Sequence, residues 1–274
     1  MSASSRRGLS DRDLSVLRLL SSFRLMSGGH LRRLLFTEGS ALTRSRRARS
    51  VLKRLTDSGY IGRLDRQIGG VHAGSQGFVY RLTTKGHSSL ARTDGGLRRR
   101  ASGEPGERFI AHVLAVSEQY VRLVEQAPSA DASILSFDAE PHCWRGYPAT
   151  HGGTSTIRPD GFCHTVKGDY EYAYFIELDL STESLSTISA KGRCYVELWR
   201  SGVEQQRLGF FPQILWIVPD ERRRRGIDKA LRRLPADTRT LFAVATTETS
   251  TAQLLGTRQQ NSNTNTNTQG GEST

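Results

Sequence analysis

The chain is poor in residues that would betray an export route or a membrane. It has 3 cysteines, 2 methionines and 3 tryptophans in 274 residues. No apolar run approaches the roughly 20 residues that a membrane helix needs. The segment from Met1 to Gly8 is polar and lacks the apolar core of a signal peptide. Cys143, Cys163 and Cys194 are odd in number, far apart and match no zinc spacing, so they are expected to be buried reduced thiols in a cytoplasmic protein. His142, His151 and His164 show no metal spacing, and the clustered histidine triad of a relaxase is missing. Gly69-Gly70 and Gly152-Gly153 lack the Lys-Ser/Thr ending of a phosphate loop, so no nucleotide site is expected. No heptad seam marks a coiled coil, and the oligomeric state stays open.

Lysine is scarce too. Of 39 basic residues only five are lysine. An arginine excess fits a GC-rich bacterial genome, and it suits phosphate recognition because the planar guanidinium matches phosphate oxygens. The charge is unevenly spread. Up to Arg100 there are 21 Lys+Arg and 6 Asp+Glu, whereas the rest of the chain is slightly acidic. A basic module joined to a near-neutral one is the arrangement of a nucleic-acid binder with a second function.

Residues 9–91 form the expected basic module. Ser10 with Asp13 three residues on can cap a first helix, followed by Leu14, Leu17 and Leu20 at helical spacing. Ser27 precedes a second helix with Leu31, Leu34 and Leu35. Thr43 is expected to cap a third, which stops at Gly59. With Arg46 at 0° and 100° per residue, Arg49, Ser50 and Lys53 fall within about 60° of it, with Arg47 and Arg54 on the flank. Ala48, Val51, Leu52 and Leu55 gather opposite. Tyr60 to Leu64 and Val79 to Leu82 then read as two strands around a glycine-rich connection. Three short helices and a hairpin make the winged helix-turn-helix pattern. Its third helix would bring Arg44, Arg46, Arg47, Arg49, Lys53 and Arg54 to double-stranded DNA, some on phosphate and one or two on guanine edges.

Residues 92–106 are expected to be a linker, 107–247 a second domain and 258–274 a disordered tail of alternating Asn with Ser or Thr. Glu107 to Gln126 reads as a long helix on which His112 is a hydrogen-bonded packing histidine. Ile134 to Phe137 and Tyr172 to Leu180 read as strands. Alternation sets Glu177 and Asp179 on the face of Phe175. Two such carboxylates repel unless a cation accommodates them. A hairpin with Gly168-Asp169 as its turn pairs residues whose numbers sum to 337, which brings Asp160 opposite Glu177. Asp160, Glu177 and Asp179 together would offer hard oxygen donors for Mg²⁺ or Mn²⁺. A helix from Ser184 to Trp199, a strand at Ile214 to Val218, a helix from Arg222 to Leu234 and a last strand at Leu241 to Ala245 complete the expected order. The fold class is therefore α+β: a winged helix, then an α/β domain with a mixed central sheet.

With Arg158-Pro159-Asp160 and Glu177-Leu178-Asp179, the second domain resembles the PD-(D/E)xK restriction-endonuclease-like superfamily. That resemblance implies a metal-dependent DNA endonuclease or nickase in which the acids hold the metal and water attacks a phosphodiester. The superfamily's lysine, two residues after the acid, is Asp179 here; Lys191 is the candidate replacement, with Tyr195 one turn on. From about Leu9 to Ala245 the chain also resembles the replication-relaxation proteins of actinobacterial plasmids and mobile elements. The carriers are Glu107-Arg108, His112, Leu114-Ala115-Val116, Arg158-Pro159-Asp160, Glu177-Leu178-Asp179, Thr182-Glu183, Lys191 and Tyr195. This resemblance implies a role in plasmid replication and DNA relaxation, with plasmid replication proteins as partners. The alternative is a non-catalytic winged-helix regulator of transcription or replication whose acids are merely solvated. The run Arg222 to Arg225 reads either as solvated surface or as a track for DNA backbone.

Overall fold

The first helix owes its start to one hydroxyl. In the computed structural model, which describes residues 8–64, 77–94, 105–149, 152–181 and 183–257, the Ser10 side chain accepts from the Asp13 N–H and Asp13 caps Ser10 in return. Helix α1 (Asp11–Phe23) leads through β1 (Met26–Ser27) to α2 (Gly28–Leu35), capped by Ser27. Helix α3 (Ala41–Asp57) begins earlier than expected. Ser40 is its cap and accepts from the Thr43 N–H, so Thr43 lies inside the first turn. Strands β2 (Ile61–Arg63) and β3 (Val79–Leu82) pair antiparallel, and β1 joins the other edge of β3. The glycine-rich connection falls mostly outside the described residues.

An unexpected helix, α4 (Thr84–Asp94), follows β3. Most of it lies within the expected 9–91 module, and its last three residues enter the expected linker; residues 95–104 lie outside the described residues. Gly86 is obligatory here, since a Cβ would sit 2.2 Å from the Tyr60 carbonyl oxygen.

Helix α5 (Glu107–Gln126) carries the chain into a mixed five-stranded sheet. Its strands are β4 (Ser133–Ala139), β7 (Gly161–Lys167), β8 (Tyr170–Leu178), β9 (Gln213–Val218) and β10 (Phe242–Thr246); β5 (Arg145–Pro148) and β6 (Thr154–Ile157) form a separate hairpin that the sequence did not announce. The order is β10-β9-β8-β7-β4, with β8, β9 and β10 parallel and the β8/β7 and β7/β4 pairs antiparallel. Register β7/β8 runs from Gly161 opposite Ile176 to Lys167 opposite Tyr170, so the partner numbers sum to 337 as the Gly168-Asp169 turn requires. Strand β8 begins and ends two residues earlier than expected, yet the Asp179 N–H still bonds the Ile217 carbonyl. Helix α6 (Leu185–Ser201), the short α7 (Val203–Leu208), α8 (Glu221–Leu231) and α9 (Ser250–Leu254) complete the described chain. Residues 258–274 lie outside it.

Phe175 and Ala173 of β8 face α6 and α8, while Tyr174 and Ile176 face α9 and the end of α5. A third cluster crosses the chain: Leu17, Leu20, Phe23 and Met26 pack with Val116, Val121, Ala139 and Leu178. Basic and near-neutral segments thus share apolar core. Cys143 and Cys163 are buried as expected, but Cys194 is exposed on the outer side of α6. No helix among the described residues is long and apolar enough to cross a membrane.

Candidate nuclease-like site and basic helix

Glu177 sits near the carboxyl end of β8, 2% exposed. A buried carboxylate must be matched by donors or charge. Helix α6 supplies both from positions i and i+4: the Lys191 ammonium donates to Glu177 Oε2 and the Tyr195 hydroxyl donates to Oε1 at 2.5 Å. Gly192 lets α6 lie close to the segment after α8, because a Cβ there would come within 2.9 Å of Leu234.

Asp160 precedes β7, beside Glu177. Its Oδ2 accepts from the Leu178 N–H at 2.7 Å, and its Oδ1 lies 3.0 Å from His112 Nε2 on α5. The sequence places His112 as a hydrogen-bonded residue but does not reveal its partner, because nothing local ties position 112 to position 160.

Asp179 faces other groups. The Arg223 guanidinium of α8 pairs with its Oδ2, and the Ser181 N–H donates to Oδ1 at 3.0 Å. Arg223 also donates to the Glu183 carbonyl at 2.5 Å. The repulsion expected between Glu177 and Asp179 is relieved by two different cations, not one shared ion. Among the described residues, no three His, Cys, Asp or Glu side chains form a group able to hold a metal. Asp160 and Glu177 remain as neighbouring oxygen donors of the hard type that Mg²⁺ or Mn²⁺ takes. Asp179 does not fit that set, since Arg223 already neutralises it.

Burial pushes the Glu177 carboxyl up to about 8; the negative Asp160 adds to this and Lys191 works against it. Burial disfavours the Lys191 ammonium, but attraction to Glu177 and Asp160 outweighs it and raises the lysine pKa. The hydrogen bond that His112 donates to Asp160 raises the His112 pKa despite burial. All three shifts favour the protonated forms of these groups.

The arginine-rich helix α3 divides by neighbour. Arg46 and Arg47 are exposed and have no ion-pair or hydrogen-bond partner among the described residues. Arg44 is half-buried and donates to the Thr37 carbonyl at 3.3 Å. Arg49 donates to the Ser45 carbonyl at 3.2 Å, and Lys53 pairs with Asp57 at 2.8 Å. Arg49 and Lys53 line a groove of about 1040 Å³ between α2, α3 and the β2–β3 pair, where Arg32 and Arg63 join them. Sequence reasoning missed Arg32 and Arg63, although both lie in the basic segment. Arg54 pairs at 2.5 Å with the buried Asp13 of α1, while its own side chain stays exposed.

No curated protein matches the chain. Among solved structures, restriction endonuclease FokI bound to DNA is similar at 12% identity over 92% of this chain and 67% of that one, with a TM-score of 0.28. A second structure of restriction endonuclease FokI gives 12% identity, 84% and 61% coverage, and a TM-score of 0.24. Overlaps this loose define no fold relation. The family model described as replication-relaxation matches residues 17–214, and the chain belongs to the replication-relaxation family.

Proposed function

We propose that this member of the family is a DNA-binding protein of plasmid replication and DNA relaxation with a metal-dependent, nuclease-like centre at Asp160, Glu177 and Lys191. The observation that carries the reading is the Lys191 ammonium on the Glu177 carboxylate, with Asp160 alongside. Asp160 and Glu177 would hold Mg²⁺ or Mn²⁺. Such an ion, when bound, acidifies water and offsets phosphate charge. Lys191 presents a cation that stabilises negative charge developing on a phosphodiester. Tyr195 fixes the Glu177 carboxylate, and His112 with the Leu178 N–H fixes Asp160. Asp179 takes no part beyond anchoring Arg223.

The N-terminal segment is read as a winged helix-turn-helix whose α3 enters the major groove of duplex DNA. Arg46, Arg47, Arg49 and Lys53 supply the contacts, with Arg44 at the helix start, and Arg54 is excluded by its bond to Asp13. The domain division at 107, the actinobacterial plasmid setting and replication proteins as partners belong to the same reading.

The test is nicking of supercoiled plasmid by the full chain with Mg²⁺. Wild type nicks, whereas Asp160→Ala and Glu177→Ala fall to background and keep their DNA affinity. Equal activity in wild type and both variants overturns the nuclease reading. A second reading, a non-catalytic regulator, is favoured by one observation: both oxygens of Asp160, Glu177 and Asp179 already have protein partners. Its signature is DNA binding with no nicking by the wild type under any divalent cation.

A further inference from the structure

Helix α8 and the two residues that follow it carry seven cations between Arg222 and Arg233, and they fall into two classes. Three are neutralised: Arg223 by Asp179, Arg224 by Glu221 at 2.7 Å and Arg232 by Asp228 at 2.8 Å. Arg222, Arg225, Lys229 and Arg233 are exposed and have no ion-pair or hydrogen-bond partner among the described residues. These four are not scattered. At 100° per residue they fall within a stripe of roughly 80°. Ile227, Ala230 and Leu231 lie on the far side of the helix, in the core. Arg233 continues the last turn, its N–H bonding the Ala230 carbonyl.

The placement is unfavourable for the helix itself. Arg222 and Arg225 sit in or beside the first turn, where the helix dipole favours anions. Asp220 caps this end and Glu221 lies in the first turn, but Glu221 is paired with Arg224, and among the described residues neither Arg222 nor Arg225 has an ion-pair partner. The stripe also starts beside the candidate site, since Arg223, next to Arg222, anchors the first turn to Asp179 at the end of β8. Strands β8 and β9 are parallel, so the end of β8 and the start of α8 lie at one edge of the sheet.

We infer that the Arg222–Arg225–Lys229–Arg233 stripe of α8 is a second DNA-binding surface, which grips the phosphate backbone of a duplex without reading its sequence and leads that backbone to the Asp160–Glu177 site. This rests on the reading of the protein as a DNA binder, but not on α3 as the reader. Its length is about 16 Å, from the helical rise. One strand of a duplex carries a phosphate about every 3.4 Å of axis, so the stripe spans about five phosphates. Guanidinium groups suit this task because they bind phosphate oxygens as a fork.

The test compares three full-length proteins on two duplexes of unrelated sequence across a salt series: wild type, R222Q/R225Q/K229Q/R233Q, and R46Q/R49Q/K53Q. Each phosphate contact contributes about 0.9 to the slope of log affinity against log salt. The α8 variant is expected to lose about 3.6 in slope and at least about tenfold in affinity near 0.1 M salt, equally on both duplexes. Circular dichroism should match wild type, since none of the four side chains has a partner to lose. Wild-type affinity and slope in the α8 variant overturn the inference. So does a loss confined to one duplex. If only the α3 variant loses affinity, this inference fails while the α3 reading stands. If only the α8 variant does, the reverse holds.

Discussion

Helix α3 and the carboxyl end of β8 both concentrate charge, but they manage it in opposite ways. On α3, Arg46 and Arg47 stand in water with no partner among the described residues, and solvent makes this nearly free of cost. At the carboxyl end of β8, Glu177 and Asp179 are buried, and each is held by a cationic side chain from another element, Lys191 of α6 and Arg223 of α8. Exposed charge is available to a polyanion. Buried charge is committed to the fold unless something displaces its partner. Arg54 shows that the boundary runs through α3 itself, because its neighbour Lys53 is exposed while Arg54 reaches the buried Asp13.

The sharpest break in this comparison removes a buried partner. Lys191→Ala leaves the buried Glu177 carboxyl without its cation and one hydrogen-bond donor, and should lower unfolding free energy by about 2 kcal/mol in urea titration, more at pH above about 8 than at neutral pH, where the carboxyl takes up a proton. Adding Glu177→Gln to that variant should recover much of the loss, because a neutral amide replaces an uncompensated charge. No recovery in the double variant would show that Lys191 stabilises by packing and not by charge.

Acid titration probes an intermediate case. Glu118 on α5 receives bonds from Arg33 at 2.6 Å and Arg122 at 2.9 Å, with His30 at 3.3 Å. Burial raises its pKa, but these partners win and hold it at about 2. A depressed carboxylate pKa stabilises the fold above its unfolded value near 4.5, and that stability is lost as pH falls toward 2. Wild type should therefore lose on the order of 2 kcal/mol across this window beyond the loss seen in Glu118→Gln. Parallel acid limbs in thermal melts of the two proteins would contradict the assignment.

The smallest effect sharpens the exposed side. Arg46→Ala should change stability by less than about 0.5 kcal/mol, whereas Arg54→Ala should cost about 1–2 kcal/mol by leaving Asp13 unpaired. For DNA binding the order reverses: Arg46→Ala reduces the salt slope by about 1 and Arg54→Ala leaves it unchanged. Equal behaviour of the two variants in either assay would dissolve the distinction.

The local grammar of the fold was legible. The Ser10 cap, the period of α5 and α6, and the two-residue turn at Gly168-Asp169 are short-range features, and the turn alone set the β7–β8 register. Alternation then placed Glu177 and Phe175 on one face. What the sequence hid was partnership across distance. Arg223 lies 44 positions from Asp179, and no periodicity links them. His112 and Asp160 meet because α5 crosses the sheet, which depends on packing of the whole chain. Ser40 displaced Thr43 as the α3 cap because two hydroxyls stood three residues apart and either could serve. A helical wheel gave the direction of Arg54 but not that Asp13 waited there.

Helix α5 has a further consequence. Val116 and Val121 are packed among the residues that brace the arginine-bearing helices, and about one turn before Val116 His112 holds Asp160. One helix thus packs against the apolar side of the arginine-bearing helices and also holds an aspartate of the acidic site, so a change in the packing of either region is felt at the other through a single rigid element.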